Sequence, residues 1–393
     1  MSRILFTWEL GANYGHLTRL IPLAKEQLLQ GREVLFAVNN LDVAECLLTP
    51  LKLPYVIAPK IKYKSHRRVA KNYAELLLNC GYDNQEGLTQ AIVEWLNLFK
   101  DFRPDLLVTD HSPTALLANR ITKISTIQIG TGFEVPPQDD WPALFPLNAS
   151  QQVQLEQSEL TLLNHMNNAT KPVDGMPIQS VRDLFNGCQQ ILCTYAELDH
   201  YQNRKNALYV DPVFEKMCVE SVAWSLIKHK KVFVYVWPDM PGLHQLLKAL
   251  GEMELEVIAV IPNISATDLN QLSCKNLRIY NHAIDFSELL KKVDLLISHG
   301  YGTVNTFLRS GIPVLLIPKT LEQFILGQCI KKHGYGLMPQ TRSVSNFKSI
   351  INTLLGSSSF YVATQKFAKK YSEMQTLNAL HQITQVINNK LTF

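Results

Sequence analysis

The stretch Ser298-His299-Gly300-Tyr301-Gly302-Thr303, continued by Gly311-Ile312-Pro313 and Glu322-Gln323, decides how this chain folds. Before it lies Val293-Asp294-Leu295-Leu296-Ile297, an apolar run of strand character, and after it a helical pattern passes through Phe307 and Leu308. The glycines therefore fall at a strand-to-helix turn, where unpaired backbone N–H groups and the positive end of a helix meet. An anion is the natural partner of such a turn. Gly300 and Gly302 let the main chain approach that anion with no Cβ in the way. Ordinary strand-to-helix connections also use glycine, so the turn gains weight only from its company.

That company begins at the other end. Arg3 to Trp8 reads as a strand, Gly11 to Gly15 as a loop, and Leu17 to Leu29 as an amphipathic helix closed by Gly31. His16 then stands at a helix start, at the mouth of a parallel sheet, where open α/β sheets bind ligands. A helix N-terminus disfavours the imidazolium, so His16 is expected to be neutral and able to accept a proton. The competing role is a helix cap through a side-chain hydrogen bond. In Arg103-Pro104-Asp105-Leu106-Leu107-Val108-Thr109-Asp110-His111-Ser112, a buried strand ends in a carboxylate. Beside the first strand, Asp110 would reach the far nitrogen of His16, fix its tautomer and stabilise its imidazolium. Asp110 is equally placed to cap the helix Ser112 to Arg120. One carboxylate cannot fully meet both roles.

Strand-like runs at Ile4 to Trp8, Glu33 to Val38, Tyr55 to Ala58, Leu106 to Thr109 and Ile124 to Ile129 alternate with helical patterns. A second series runs through Lys231 to Trp237, Glu256 to Ile261, Leu277 to Ile279, Leu295 to Ser298 and Pro313 to Ile317. Each series predicts an α/β, doubly wound parallel sheet. At 393 residues the chain is too long for one core, so two domains are expected. The boundary is placed after Val210-Asp211-Pro212, giving domains 1–212 and 213–375, with a helical tail at 376–393.

Together these segments resemble the family 1 glycosyltransferases, GT-B enzymes that include plant small-molecule glucosyltransferases and bacterial macrolide and carotenoid glycosyltransferases. Gly15-His16 with Pro22 is similar to the family's opening motif, Asp110 to the aspartate after its fourth strand. Gly300, Gly302, Thr303, Gly311, Pro313, Glu322 and Gln323 match its donor motif. The resemblance implies two Rossmann-like domains facing across a cleft, an acceptor-binding domain first and a nucleotide-sugar-binding domain second, with the last helix crossing back to the first. It implies inverting transfer of a sugar from a UDP- or dTDP-linked donor to a hydroxyl. His16 and Asp110 would be the general-base dyad, and Ser298, His299, Gly300, Gly302, Thr303, Thr306, Glu322 and Gln323 would hold the donor. Ser298 occupies the family's phosphate-binding histidine position, with His299 one residue on, and a one-residue shift turns a helical side chain about 100°. Thr306 stands where many members have a ribose-binding glutamate, and Glu322 replaces the commoner aspartate.

Composition sets the outer bounds. Apolar content of 46% and charged content of 18% describe a soluble globular protein, and a net charge of +4 gives no sign of nucleic-acid binding. Seven cysteines without zinc-type spacing, Cys188 and Cys193 being the nearest pair, predict reduced thiols in a cytosolic setting. Met1-Ser2-Arg3 leads straight into a strand, so neither a leader peptide nor an integral membrane segment is expected, although a lipid acceptor would bring the protein to a membrane surface. No carboxylate pair marks a metal site, so no metal and no cofactor are expected beyond the nucleotide-diphosphate sugar as co-substrate. The second partner is a small acceptor, of lipid or natural-product type.

Other stretches are less decisive. The basic run Lys60 to Arg68 suits an acidic acceptor, an anionic membrane surface or a solvated loop. The long segment from Gly130 to Gly187, with Phe133, Trp141, Leu144, Phe145 and Leu147, suits an apolar acceptor lid or simple packing. Pro238 removes an N–H that could have served a phosphate, Asp239 would repel a diphosphate unless a cation intervenes, and Trp237 is expected in the core. Two other functions fit the same architecture: a sugar-nucleotide epimerase and a non-catalytic nucleotide-sugar-binding protein. A dehydrogenase fits poorly, because Gly11 to Gly15 lacks the three-glycine fingerprint.

Overall fold

The structure is a computed structural model that describes residues 1–11, 14–62, 70–138, 148–202, 204, 207–215, 219–225, 228–339, 346–372 and 376–392. Most of the basic run, 63–68, lies outside the described residues, as do Trp141, Leu144, Phe145 and Leu147 of the expected lid. The chain divides into two compact units, Met1–Glu215 with Gln375–Phe393, and Lys216–Met374.

In the first unit, β1 (Arg3–Trp8), β2 (Glu33–Val38), β3 (Tyr55–Ile57), β4 (Leu106–Asp110), β5 (Ser125–Gly130), β6 (Gln189–Leu192) and β7 (Leu208–Tyr209) form one parallel sheet in the order 3-2-1-4-5-6-7. β1 is apolar on both faces because helices cover both. Ile4, Phe6 and Trp8 enter one core with Leu17, Leu20 and Ile21 of the helix Gly15–Leu29, while Leu5 enters the other with Ile92, Trp95 and Phe99 of the helix Gln85–Phe102. The strand's two-residue period sorts them.

The last helix, Thr376–Leu391, adds Ala379, Ile383 and Ile387 to the first of these cores. Their four-residue spacing makes one helical stripe, and burying each isoleucine contributes about 1.5–3 kcal/mol. Arg32 Nη1 donates to Asn388 Oδ1 at 2.6 Å and fixes the register. The first unit also runs three residues beyond the expected boundary at 212, through Glu215. Pro22, inside the helix Gly15–Leu29, has no N–H to offer the carbonyl of Thr18 four residues earlier. Glu215 N donates to that carbonyl at 2.7 Å instead, and Lys25 Nζ holds Glu215 Oε1 at 2.5 Å.

The second unit contains β8 (Glu220–Ser221), β9 (Lys230–Tyr235), β10 (Leu255–Val260), β11 (Leu277–Tyr280), β12 (Ile284–Asp285), β13 (Leu295–Ser298), β14 (Val314–Leu316) and β15 (Gly336–Leu337). Six of them form a parallel sheet in the order 11-10-9-13-14-15, and β8 pairs separately with β12. Both large sheets thus start in the middle, run outward, and reverse direction once, the doubly wound pattern expected from the sequence. The reversal lies between β1 and β4 in the first unit and between β9 and β13 in the second. The edge strands β7 and β15, and β6 next to β7, were not foreseen. Among the described residues, no helix is long and apolar enough to cross a membrane.

Candidate active site

The reversal between β1 and β4 is where a doubly wound sheet opens a crevice for ligands. The register pairs Trp8 with Asp110 at the carboxyl ends of these strands, and the chain leaves β1 directly toward His16. His16 Nδ1 meets Asp110 Oδ1 at 2.8 Å. With Nδ1 carrying the proton that Asp110 accepts, Nε2 holds the free lone pair, as a base requires. The Trp8 ring stacks on the imidazole with centroids 5.4 Å apart and 18° between the planes, and Trp8 is itself fixed by its Nε1 donating to Leu10 O at 2.9 Å.

Asp110 is fully buried, and its second oxygen accepts from Arg19 Nη1 at 2.5 Å. Arg19 Nη1 also lies 3.5 Å from Glu134 Oε1, and both side chains are buried. Burial pushes the Glu134 carboxyl up, but Arg19 and then His16 overcome it and hold it at about 2. For His16, burial pulls the pKa down, the Asp110 charge and hydrogen bond pull it up, Arg19 opposes and Glu134 assists; the balance is upward from 6.5. The two carboxylates thus outweigh burial and Arg19 in setting the basicity of His16.

The structure also separates the two roles that competed for Asp110. The helix Pro113–Thr122 is capped by Glu9, whose Oε2 accepts from Thr114 N at 2.9 Å and whose Oε1 accepts from Thr114 Oγ1. Asp110 is thereby left to His16 and Arg19. Burial raises the Glu9 carboxyl to about 7, against the hydrogen bonds from Thr114 that lower it. His111 follows Asp110 with φ +48° and lies 6.4 Å from the His16 ring, centroid to centroid; burial lowers its pKa to about 4. Gly11, at φ +94°, lies against His16 so closely that a Cβ there would collide with Nε2. Beside Gly11 opens a cavity of about 620 Å³, whose lining includes Leu10, Asn39, Ile57, Ala58 and Ile61.

In the second unit the corresponding reversal carries the glycine turn. Ser298, paired with Tyr235, is fully buried at the end of β13. Its Oγ donates to Tyr235 O at 3.0 Å and accepts from Gly300 N at 3.1 Å, so its proton ties β13 to β9. Ser298, a strand-end side chain turned into the sheet, spends its hydrogen bonds on its neighbours there. His299 is 2% exposed, and among the described residues neither ring nitrogen has a hydrogen-bond partner. Burial first, and then Lys319, lower its pKa to about 4.

Gly300 caps the helix Tyr301–Arg309, whose first turn includes Gly302 and Thr303. Thr306 Oγ1 donates to Gly302 O at 3.0 Å, within its own helix, so its hydroxyl proton is used there. Glu322 and Gln323 lie in the first turn of the helix Leu321–Lys332, capped by Thr320. Gln323 Oε1 accepts from Lys319 N at 2.7 Å and locks the entrance of that helix. Asp239 is met by a cation after all: Lys319 Nζ pairs with its Oδ1, and that hydrogen bond holds the carboxyl below its usual range.

Arg19, Glu9, Glu134 and Lys319 are the residues that the sequence reading passed over. Arg19 had one signal, its place three residues after His16 on the same helical face. Glu9, Glu134 and Lys319 acquire meaning only once strand order is known.

Comparison with known proteins agrees with the resemblance read from the motifs. Residues 244–376 match the family model described as the erythromycin biosynthesis protein CIII-like C-terminal domain. A UDP-sugar-dependent glycosyltransferase 52 of Dictyostelium discoideum is 40% identical over 73 residues, 18% of this chain and 4% of that protein. A UDP-glycosyltransferase 2 of Phaeomoniella chlamydospora is 24% identical over 170 residues, 40% of this chain and 37% of that protein. The matches thus span only a minor part of each curated relative. Among solved structures, the glycosyltransferase VinC in complex with dTDP superposes with a TM-score of 0.70 at 15% identity, over 98% of this chain and 99% of that one. The fold is GT-B, two Rossmann-like units in succession.

Proposed function

We propose that this chain is an inverting glycosyltransferase that moves a sugar from a nucleoside-diphosphate donor to a hydroxyl of a small apolar acceptor. The observation that carries the reading is the 2.8 Å contact from His16 Nδ1 to Asp110 Oδ1, made at the reversal point of the first sheet. It leaves Nε2 as a base of raised pKa in a buried, ion-paired setting. The acceptor oxygen attacks the anomeric carbon, its proton passes to Nε2, and the bond to the diphosphate breaks with its electron pair leaving on the phosphate oxygen. Asp110, braced by Arg19, balances the imidazolium. General-base assistance of this kind contributes about 10²- to 10⁴-fold.

The second unit supports donor binding through the first-turn amides around Gly302 and Thr303 and the unpartnered ring of His299. The matched family model covers most of this unit. UDP is favoured by the two UDP-dependent curated relatives and dTDP by the VinC complex, so both belong in the first screen. The cavity beside Gly11, of a size that suits a small ligand and largely apolar in lining, is assigned to the acceptor.

The test is turnover of UDP- and dTDP-sugars against a panel of hydroxyl-bearing aglycones, read as glycosylated product. Transfer by the wild-type protein and its loss in His16→Ala, with nucleotide binding retained, is the expected outcome. Undiminished transfer by His16→Ala refutes the base assignment.

A further inference from the structure

The donor turn is short of charge. Ser298 spends its proton on Tyr235, His299 is neutral near pH 7, and Pro238 offers no N–H. A diphosphate brings several negative charges to a site whose own side chains at this turn supply none. Lys319 stands nearby. Ile317 N donates to Ser298 O at 2.9 Å, which carries the chain from β14 toward Lys319 alongside the turn at Ser298-His299. The Ser298 bond to Tyr235 O brings the exit of β9, and with it Asp239, to the same edge. Lys319, His299 and Asp239 thus leave the carboxyl ends of three neighbouring strands, β14, β13 and β9.

We infer that Lys319 is the cation that binds the donor diphosphate, and that Asp239 holds it in place until the diphosphate displaces the carboxylate. This rests on the reading of the second unit as a donor site. The geometry suits an exchange. The Asp239 side chain is 74% exposed and can turn into solvent without losing a buried partner, whereas Lys319 is 23% exposed and stays near the turn. Holding the ammonium with an exposed carboxylate costs little to undo, since surface ion pairs contribute about 0–1 kcal/mol. A phosphate with the helix amides and His299 behind it is the stronger partner, because charge-assisted bonds to phosphate add to the field of the helix end. Asp239, which alone would oppose a diphosphate, becomes the group that keeps the lysine extended toward it.

Isothermal titration of UDP, dTDP, uridine and thymidine separates the outcomes, using the full chain. Lys319→Met should weaken the diphosphate that binds by about 10- to 100-fold and leave the nucleosides unchanged, in keeping with one charge-assisted contact. Lys319→Arg should retain most of the affinity. Asp239→Asn should tighten diphosphate binding severalfold, because the competing carboxylate is lost, and in the double variant it should not restore the affinity of Lys319→Met to that of wild type. A Lys319→Met protein that binds the diphosphate within about twofold of wild type overturns the inference and leaves the donor site standing. A wild-type protein that binds neither diphosphate overturns the donor reading, and the inference with it.

Discussion

Replacing Asp110 by asparagine poses a problem that the structure makes explicit. The carboxylate faces two donors, His16 Nδ1 at 2.8 Å and Arg19 Nη1 at 2.5 Å, and it is fully buried. An asparagine keeps one acceptor and brings an NH₂ of similar size. If the NH₂ faces His16, Nδ1 must accept, the ring proton moves to Nε2, and the base is lost. If the NH₂ faces Arg19, the guanidinium loses its main partner, with Glu134 at 3.5 Å left to compensate. The first arrangement should win, because leaving a buried charge unpaired costs about 3–5 kcal/mol whereas reversing an imidazole tautomer costs far less. The predicted result is a fall in kcat of about 10²- to 10⁴-fold, equivalent to about 2.7–5.4 kcal/mol in the barrier, with donor affinity unchanged. Initial rates of nucleoside-diphosphate release in the presence of acceptor, together with titration of UDP or dTDP, separate the two effects. An Asp110→Asn protein with kcat within a few-fold of wild type would refute the assignment of tautomer and base.

Three further outcomes follow from the same groups. Gly11→Ala should lower kcat by about 10²-fold, since the new methyl group must displace Nε2 from its working position, and steady-state kinetics on a variant with an unaltered circular dichroism spectrum checks this. The acid limb of kcat/KM should have its midpoint above 6.5: the base works unprotonated, its pKa is raised, and activity is lost as pH falls through that value. Glu9 should make the fold less stable as pH rises. Its folded pKa of about 7 exceeds the unfolded 4.5, so its contribution is fully present below 4.5 and lost as pH climbs through about 7. The loss is on the order of 3 kcal/mol, and urea unfolding from pH 5 to 8.5 should show a shallower decline in Glu9→Gln than in wild type.

What the sequence disclosed, and what it hid, divides along physical lines. β1 and β4 were legible because they are continuous apolar runs ending in turns, and the return of the last helix was foreseen through the GT-B resemblance. The pairing of His16 with Asp110 was legible because the helix start that follows β1 and the carboxyl end of β4 share one sheet edge. β6 was missed because it opens with Gln189-Gln190, and β7 and β15 because two residues leave no period to detect. The fates of Ser298 and Thr306 were hidden because a hydroxyl shows no preference in sequence between a ligand and a nearby carbonyl. Glu9 as helix cap and Lys319 as partner of Asp239 join positions 105 and 80 residues apart, pairs that only sheet order brings together.

The most direct measurement is the anomeric configuration of the product, read by NMR, for wild-type protein and His16→Ala given the same nucleotide sugar and acceptor. Inversion by the wild type, with no product from a His16→Ala protein that still binds UDP or dTDP, is the predicted result. Retention of configuration, or equal product from both proteins, would contradict the role given to His16.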